Sequence, residues 1–86
     1  MAGVEEVRAG IALANQKMQE SIAALQQGNL ALEEAQSALL TATQGSTQEE
    51  MQRAHGELAE VMQTISGAQA TINGTINSTE GYAGRL

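Results

Sequence analysis

The sequence predicts an all-α protein: an antiparallel hairpin of two long helices, about 4–43 and 47–79, that dimerises into a four-helix bundle. Three observations carry this. Large aliphatic residues recur every seven positions in both halves, proline is absent, and a helix stop followed by a helix start stands midway, at Thr43-Gln44-Gly45-Ser46-Thr47-Gln48-Glu49-Glu50. Seven residues are two helical turns, so each series marks one helix face. With no phenylalanine, tryptophan or cysteine and a single tyrosine, the predicted core is aliphatic, with neither disulfides nor thiolate metal sites.

In the first half the series is Val4, Ile11, Met18, Leu25, Leu32 and Leu39. Three residues after each of these stand Val7, Ala14, Ser21, Gly28, Ala35 and Ala42, nearly all small. Ala24, Ala31 and Ala38 widen that small surface. A large row beside a small one favours a close helix contact, so the seam is placed on those two rows. Glu5 and Glu6 suit the positive end of the helix dipole. At 1.5 Å per residue this helix is about 60 Å long.

Gly45 closes the first helix, because it enters the left-handed region without a Cβ penalty. Ser46 with Glu49 forms a capping box that opens the second, and Thr47 with Glu50 offers the same box one residue on.

The second half repeats the pattern with Met51, Leu58, Ile65 and Ile72, beside Ala54, Val61, Ala68 and Thr75. Reflection through Gly45 sets Leu39 near Met51, Leu32 near Leu58, Leu25 near Ile65 and Met18 near Ile72, with Gly28 complementing Val61. Toward its end this helix fills with Gly67, Thr71, Asn73, Gly74, Asn77 and Ser78, all weak helix formers, so it is expected to fray over 73–80 and stop at Gly81. Residues 81–86 are then a short tail of the single domain 1–86. Its Tyr82 and Leu86 either pack back near Val7 and Val4 or engage a partner.

One domain of 86 residues buries only about 60% of its unfolded surface, which leaves an isolated core marginal. Apolar residues also fall off the predicted seam: Ile22, Met62 and Ile76 on one flank, Leu13, Leu30 and Leu40 further round. Such residues call for cover, so the partner is a second copy or another helical chain.

Charge and chemistry exclude more than they assign. Ten acidic against four basic residues give a net charge of −6, which disfavours nucleic acid and anionic lipid. No apolar run approaches the roughly 18 residues of a membrane span. The N-terminal residues lack the basic and hydrophobic regions of a secretory signal, so the chain is expected in the cytoplasm or exported without a cleavable signal. His55 is the only histidine. Glu57 and Glu60 lie two and five residues from it, whereas helix-face neighbours lie three or four apart, so no metal set or acid–base pair forms. Glu33-Glu34 and Glu49-Glu50 diverge as adjacent residues and read as solvated faces. Asn73-Gly74-Thr75 and Asn77-Ser78-Thr79 fit the glycosylation triplet but read as polar composition at a helix end. No catalytic, cofactor-binding or metal residue and no small-molecule substrate is assigned.

The short chain, the two patterned helices and the tight turn together resemble the small helical-hairpin proteins of type VII (ESX) secretion. Those proteins carry Trp-x-Gly at the turn. Here Thr43-Gln44-Gly45 keeps the glycine without the tryptophan, and the family's Tyr-x-x-x-Asp/Glu becomes Tyr82 followed by Leu86. The abundance of Ala, Gly and Gln also resembles actinobacterial proteins. The resemblance implies a secreted or co-secreted dimeric hairpin, or a helper of a toxin's helical leader, with Tyr82 and the tail read by the export machinery. The function expected is therefore a non-enzymatic helical interaction module, homodimeric or heterodimeric. The alternative is a structural or assembly subunit of a helical particle or filament, joined through Leu13 and Leu30.

Overall fold

A computed structural model of the chain describes residues 3–45 and 48–86. Helix α1 spans Val4–Ala42 and helix α2 spans Glu49–Gly84. They pack against each other as a hairpin, forming a rod of 63 × 18 × 15 Å. The fold class is therefore the predicted one at the level of a single hairpin.

Helix α1 opens on Gly3, whose extended backbone supplies the carbonyl that accepts the Val7 amide at 3.0 Å. Glu5 and Glu6 occupy its first turn and Glu49 and Glu50 that of α2, so both positive helix ends meet carboxylates. At the other end of α1 the Thr43 amide donates to the Leu39 carbonyl at 2.9 Å. Gly45 follows at φ +83°, the one positive φ among the described residues. This is the helix stop that the sequence predicts. The capping boxes on Ser46 and Thr47 lie outside the described residues.

The end of α2 differs from expectation. Instead of fraying over 73–80, the helix continues through Gly81 and Tyr82 to Gly84, so the separate tail 81–86 shrinks to the last two residues. Hydroxyl groups explain part of this. Thr71 donates to the Gly67 carbonyl at 3.1 Å, Thr75 to Thr71 at 3.0 Å and Ser78 to Gly74 at 3.1 Å. Groups that usually compete with helix backbone are thereby occupied within it. Tertiary contact supplies the rest, because Ile76 in this stretch is the most shielded apolar side chain among the described residues, 4% exposed.

The seam is also built on a different pair of rows. In α1 the shielded positions follow Ile11, Asn15, Met18, Ile22, Leu25, Asn29, Leu32, Gln36, Leu39 and Thr43, in steps of four and three. In α2 they follow Met51, His55, Leu58, Met62, Ile65, Gln69, Ile72, Ile76, Thr79 and Ala83. The large row is thus as predicted, but its companion lies four residues on, not three. The small row is left at the edge, where Ala14, Ser21, Ala35 and Ala42 are exposed. Asn15, Asn29, Gln69 and Thr79 are admitted to the seam because they find hydrogen-bond partners across it, which offsets part of the penalty for burying them.

Those bonds also set the register. The Thr79 hydroxyl donates to Asn15 Oδ1 at 2.6 Å, and Gln69 Nε2 donates to the Ile22 carbonyl at 3.3 Å. Reflection through Gly45 puts Asn15 level with Thr75, four residues short of Thr79, but Ile22 level with Ala68 and Asn29 level with Val61, each one residue from its bonded partner Gln69 or Met62, so the expected neighbourhoods meet with a displacement of one to four residues. The expected complement of Gly28 and Val61 is absent. Val61 is 47% exposed, and a Cβ built on Gly28 meets nothing within 4 Å.

Candidate functional site

Two packed helices leave two open edges, and here these edges differ in chemistry. Along one edge run the large rows, Ile11 to Leu39 on α1 and Met51 to Ile72 on α2, all half-buried. Beyond them lie the small rows, of which Val7, Gly28, Ala54 and Ala68 are half-buried and the rest exposed. This edge is aliphatic. The companion rows form the other edge, and they bring polar side chains to the seam at four heights.

At the open end Thr79 bonds Asn15. Further along Gln69 reaches the Ile22 carbonyl, and Asn29 Nδ2 donates to the Met62 carbonyl at 3.4 Å and to Ser66 Oγ at 3.3 Å. Asn29 Oδ1 is buried, and no donor among the described residues reaches it. At the turn end Thr43 Oγ1 lies 2.7 Å from the Leu39 carbonyl and 3.3 Å from His55 Nε2. A threonine hydroxyl has one proton. Spending it on Leu39 leaves Thr43 Oγ1 to accept from His55 Nε2, and the other ring nitrogen of His55 is Nδ1. That Nδ1 is buried with no donor among the described residues within reach.

Two shallow clefts open along the polar edge. One of about 410 Å³ at the turn is lined by Leu40, Thr43, Met51 and His55 together with turn residues. The other, about 350 Å³, lies between the helix ends and is lined by Arg8, Ile11, Asn15 and Glu80 with two alanines. Neither gathers a reacting constellation. Among the described residues, no group of three or more His, Cys, Asp or Glu is placed to hold a metal ion. The ion pairs seen, Glu5–Arg8 at 3.8 Å and Lys17–Glu20 at 3.3 Å, are exposed and within α1, so they add little to the hairpin.

The predicted site residues divide as follows. Ile11, Met18, Leu25, Leu32, Leu39, Met51, Leu58, Ile65 and Ile72 line the seam. Val4 and Val61, predicted there, are exposed instead: Val61 belongs to the small row, and Val4 stands in the first turn of α1, beyond the last shielded pair. Ile22, Met62 and Ile76, predicted as partner contacts, are taken up by the companion rows within the hairpin. Leu13, Leu30, Tyr82 and Leu86 remain exposed, Leu13 most of these at 57%, so Tyr82 and Leu86 do not gain cover against Val4. Glu49 opens α2, with Gln48 as the residue before it and no side-chain cap bond. Missed by the sequence reading were Asn15, Asn29, Thr43, His55, Gln69 and Thr79. A signal was present, since Asn15, Asn29, Gln36 and Thr43 all fall on one seven-residue series.

No protein-family model matches this chain, and no curated protein or solved structure matches it either. Among the described residues, no helix is long and apolar enough to cross a membrane.

Proposed function

We propose that the chain is a non-enzymatic helical interaction module whose hairpin closes against further helices, as a homodimer in a four-helix bundle or against another helical protein. The observation that supports this reading is the incompleteness of the core. In a chain of 86 residues, Ile76 alone falls in the buried class among the described residues, while eleven large seam aliphatics stay half-buried. A globular core residue normally touches neighbours on all sides. These residues are covered on one side by the opposite helix and lack cover on the other.

The resemblance to type VII secretion hairpins gives the module a setting, as an exported hairpin or as the escort of an exported helical protein. The Gly45 turn and the paired helices agree with that setting, and the missing Trp-x-Gly tryptophan and terminal acidic residue depart from it. A second reading rests on Leu13 and Leu30, 57% and 49% exposed and outside both seam rows. Contacts through them suit an assembly subunit.

Dilution tests the module. Circular dichroism followed from millimolar to nanomolar chain should show helicity falling as partners separate. Helicity unchanged over that range, together with the mass of one chain, would show a self-sufficient hairpin and refute the reading.

A further inference from the structure

The aliphatic edge carries the inference furthest. Antiparallel packing turns like flanks of the two helices to the same side. Ser66, one residue past Ile65, meets Asn29 on the polar edge, so the opposite flanks, the two small rows, share the aliphatic edge. From Val7 to Ala42 on α1 and from Ala54 to Tyr82 on α2, these rows contain no charged residue, in a chain with fourteen (10 acidic plus 4 basic). Charge is placed elsewhere on the rod.

Area identifies the occupant. A compact monomer of this mass exposes about 4,850 Å² by the usual surface scaling, whereas this 9.0 kDa chain exposes 6172 Å². The excess is about 1,300 Å², above the roughly 800 Å² that each partner of a standard stable interface buries. A rod 18 by 15 Å in section removes such an excess by doubling its thickness with a second rod of the same length. A copy with net charge −6 is repelled from most of the surface, but at an uncharged edge no carboxylates are brought face to face.

We propose that the edge formed by the large and small rows is a self-complementary docking surface for a second copy of this chain, related by a two-fold axis, so that the half-buried aliphatics of both hairpins form one common core. Small side chains at the rim let the helices approach closely. The polar edge, with Asn15, Asn29 and His55, faces outward in the dimer.

This inference rests on the homodimeric form of the proposed function, and the test separates the two. Sedimentation velocity of the full chain is compared with Ala35→Glu and Thr75→Glu, which charge the aliphatic edge from either helix at exposed positions, and with Gln26→Glu and Ala59→Glu, which charge exposed positions on the polar side. The expected result is a wild-type dimer, a dissociation constant raised at least tenfold by either aliphatic-edge variant with helicity retained at high concentration, and little change in the two controls. A wild-type dimer weakened by the polar-side variants, or untouched by the aliphatic-edge ones, overturns the assignment of the face and leaves the dimer standing. A wild-type monomer at every concentration overturns both.

Discussion

Replacing Asn29 by leucine should stabilise this protein, although it deletes two of the hydrogen bonds that cross the seam. Asn29 gives its amide protons to the Met62 carbonyl at 3.4 Å and to Ser66 Oγ at 3.3 Å, both near the long limit. Its Oδ1 is buried with no protein donor within reach. Two bonds of this quality contribute at most about 0.5 kcal/mol each, at the low end of the usual net value, while an unsatisfied buried acceptor costs about 1–3 kcal/mol. The leucine side chain is half-shielded there and adds roughly 1 kcal/mol, about half of its value when fully buried. The balance favours Asn29→Leu by about 1–3 kcal/mol. For a domain of this size that is a rise in Tm of about 4–8 °C per kcal/mol, to be read from circular-dichroism melts at one fixed chain concentration. The same change removes a feature that selects register, so its melt should also be less cooperative. A variant destabilised by about 1 kcal/mol or more would show instead that the Asn29 bonds outweigh the desolvation of Oδ1.

Other substitutions test other links. Thr79→Val keeps the shape of the side chain but leaves Asn15 Oδ1 without its 2.6 Å donor, and should cost about 1–3 kcal/mol in a urea titration, opposite in sign to Asn29→Leu. Leu32→Asp sets an unpaired charge in the middle of the seam and should unfold or dissociate the chain, whereas Glu33→Ala, on the exposed side, should stay within about 0.5 kcal/mol; equal melts for both would mean that the wrong face of α1 is buried. Gly45→Ala meets no neighbour within 4 Å. Its expected cost of about 1–2 kcal/mol comes only from holding a Cβ-bearing residue at the left-handed φ of +83°, and an unchanged urea midpoint would show that the turn relaxes freely.

What the sequence makes legible follows from how many physical constraints agree at each point. The Gly45 stop is supported by residue type and by the restart of the aliphatic series in a new phase at Met51, and it stands where expected. The large rows Ile11–Leu39 and Met51–Ile72 are equally plain, because nothing else buries so much apolar surface. The companion row was not legible, since steps of three and four both give neighbours on a helix face. Alanine and glycine at Ala14, Gly28 and Ala35 are the more apolar choice, and only the distances from Asn15, Gln69 and Asn29 Nδ2 to their partners show that polar groups in the other row bond across the seam. Register was legible only as neighbourhoods for the same reason, because its detail is fixed by those pairs and not by the reflection of like residues. The end of α2 was misread because propensity counts Gly74, Thr75 and Ser78 as weak, while the hydroxyl-to-carbonyl bonds and the shielding of Ile76 are tertiary and local terms that propensity leaves out.

The proposed module depends on a core completed by a second chain, and sedimentation equilibrium of the purified protein over a wide concentration range tests that most directly. A closed species of twice the 9.0 kDa chain mass is expected, helical throughout the range in which it is dimeric and losing helix where it dissociates. A fully helical species of single-chain mass at all concentrations would contradict it, as would a mass that keeps growing with concentration.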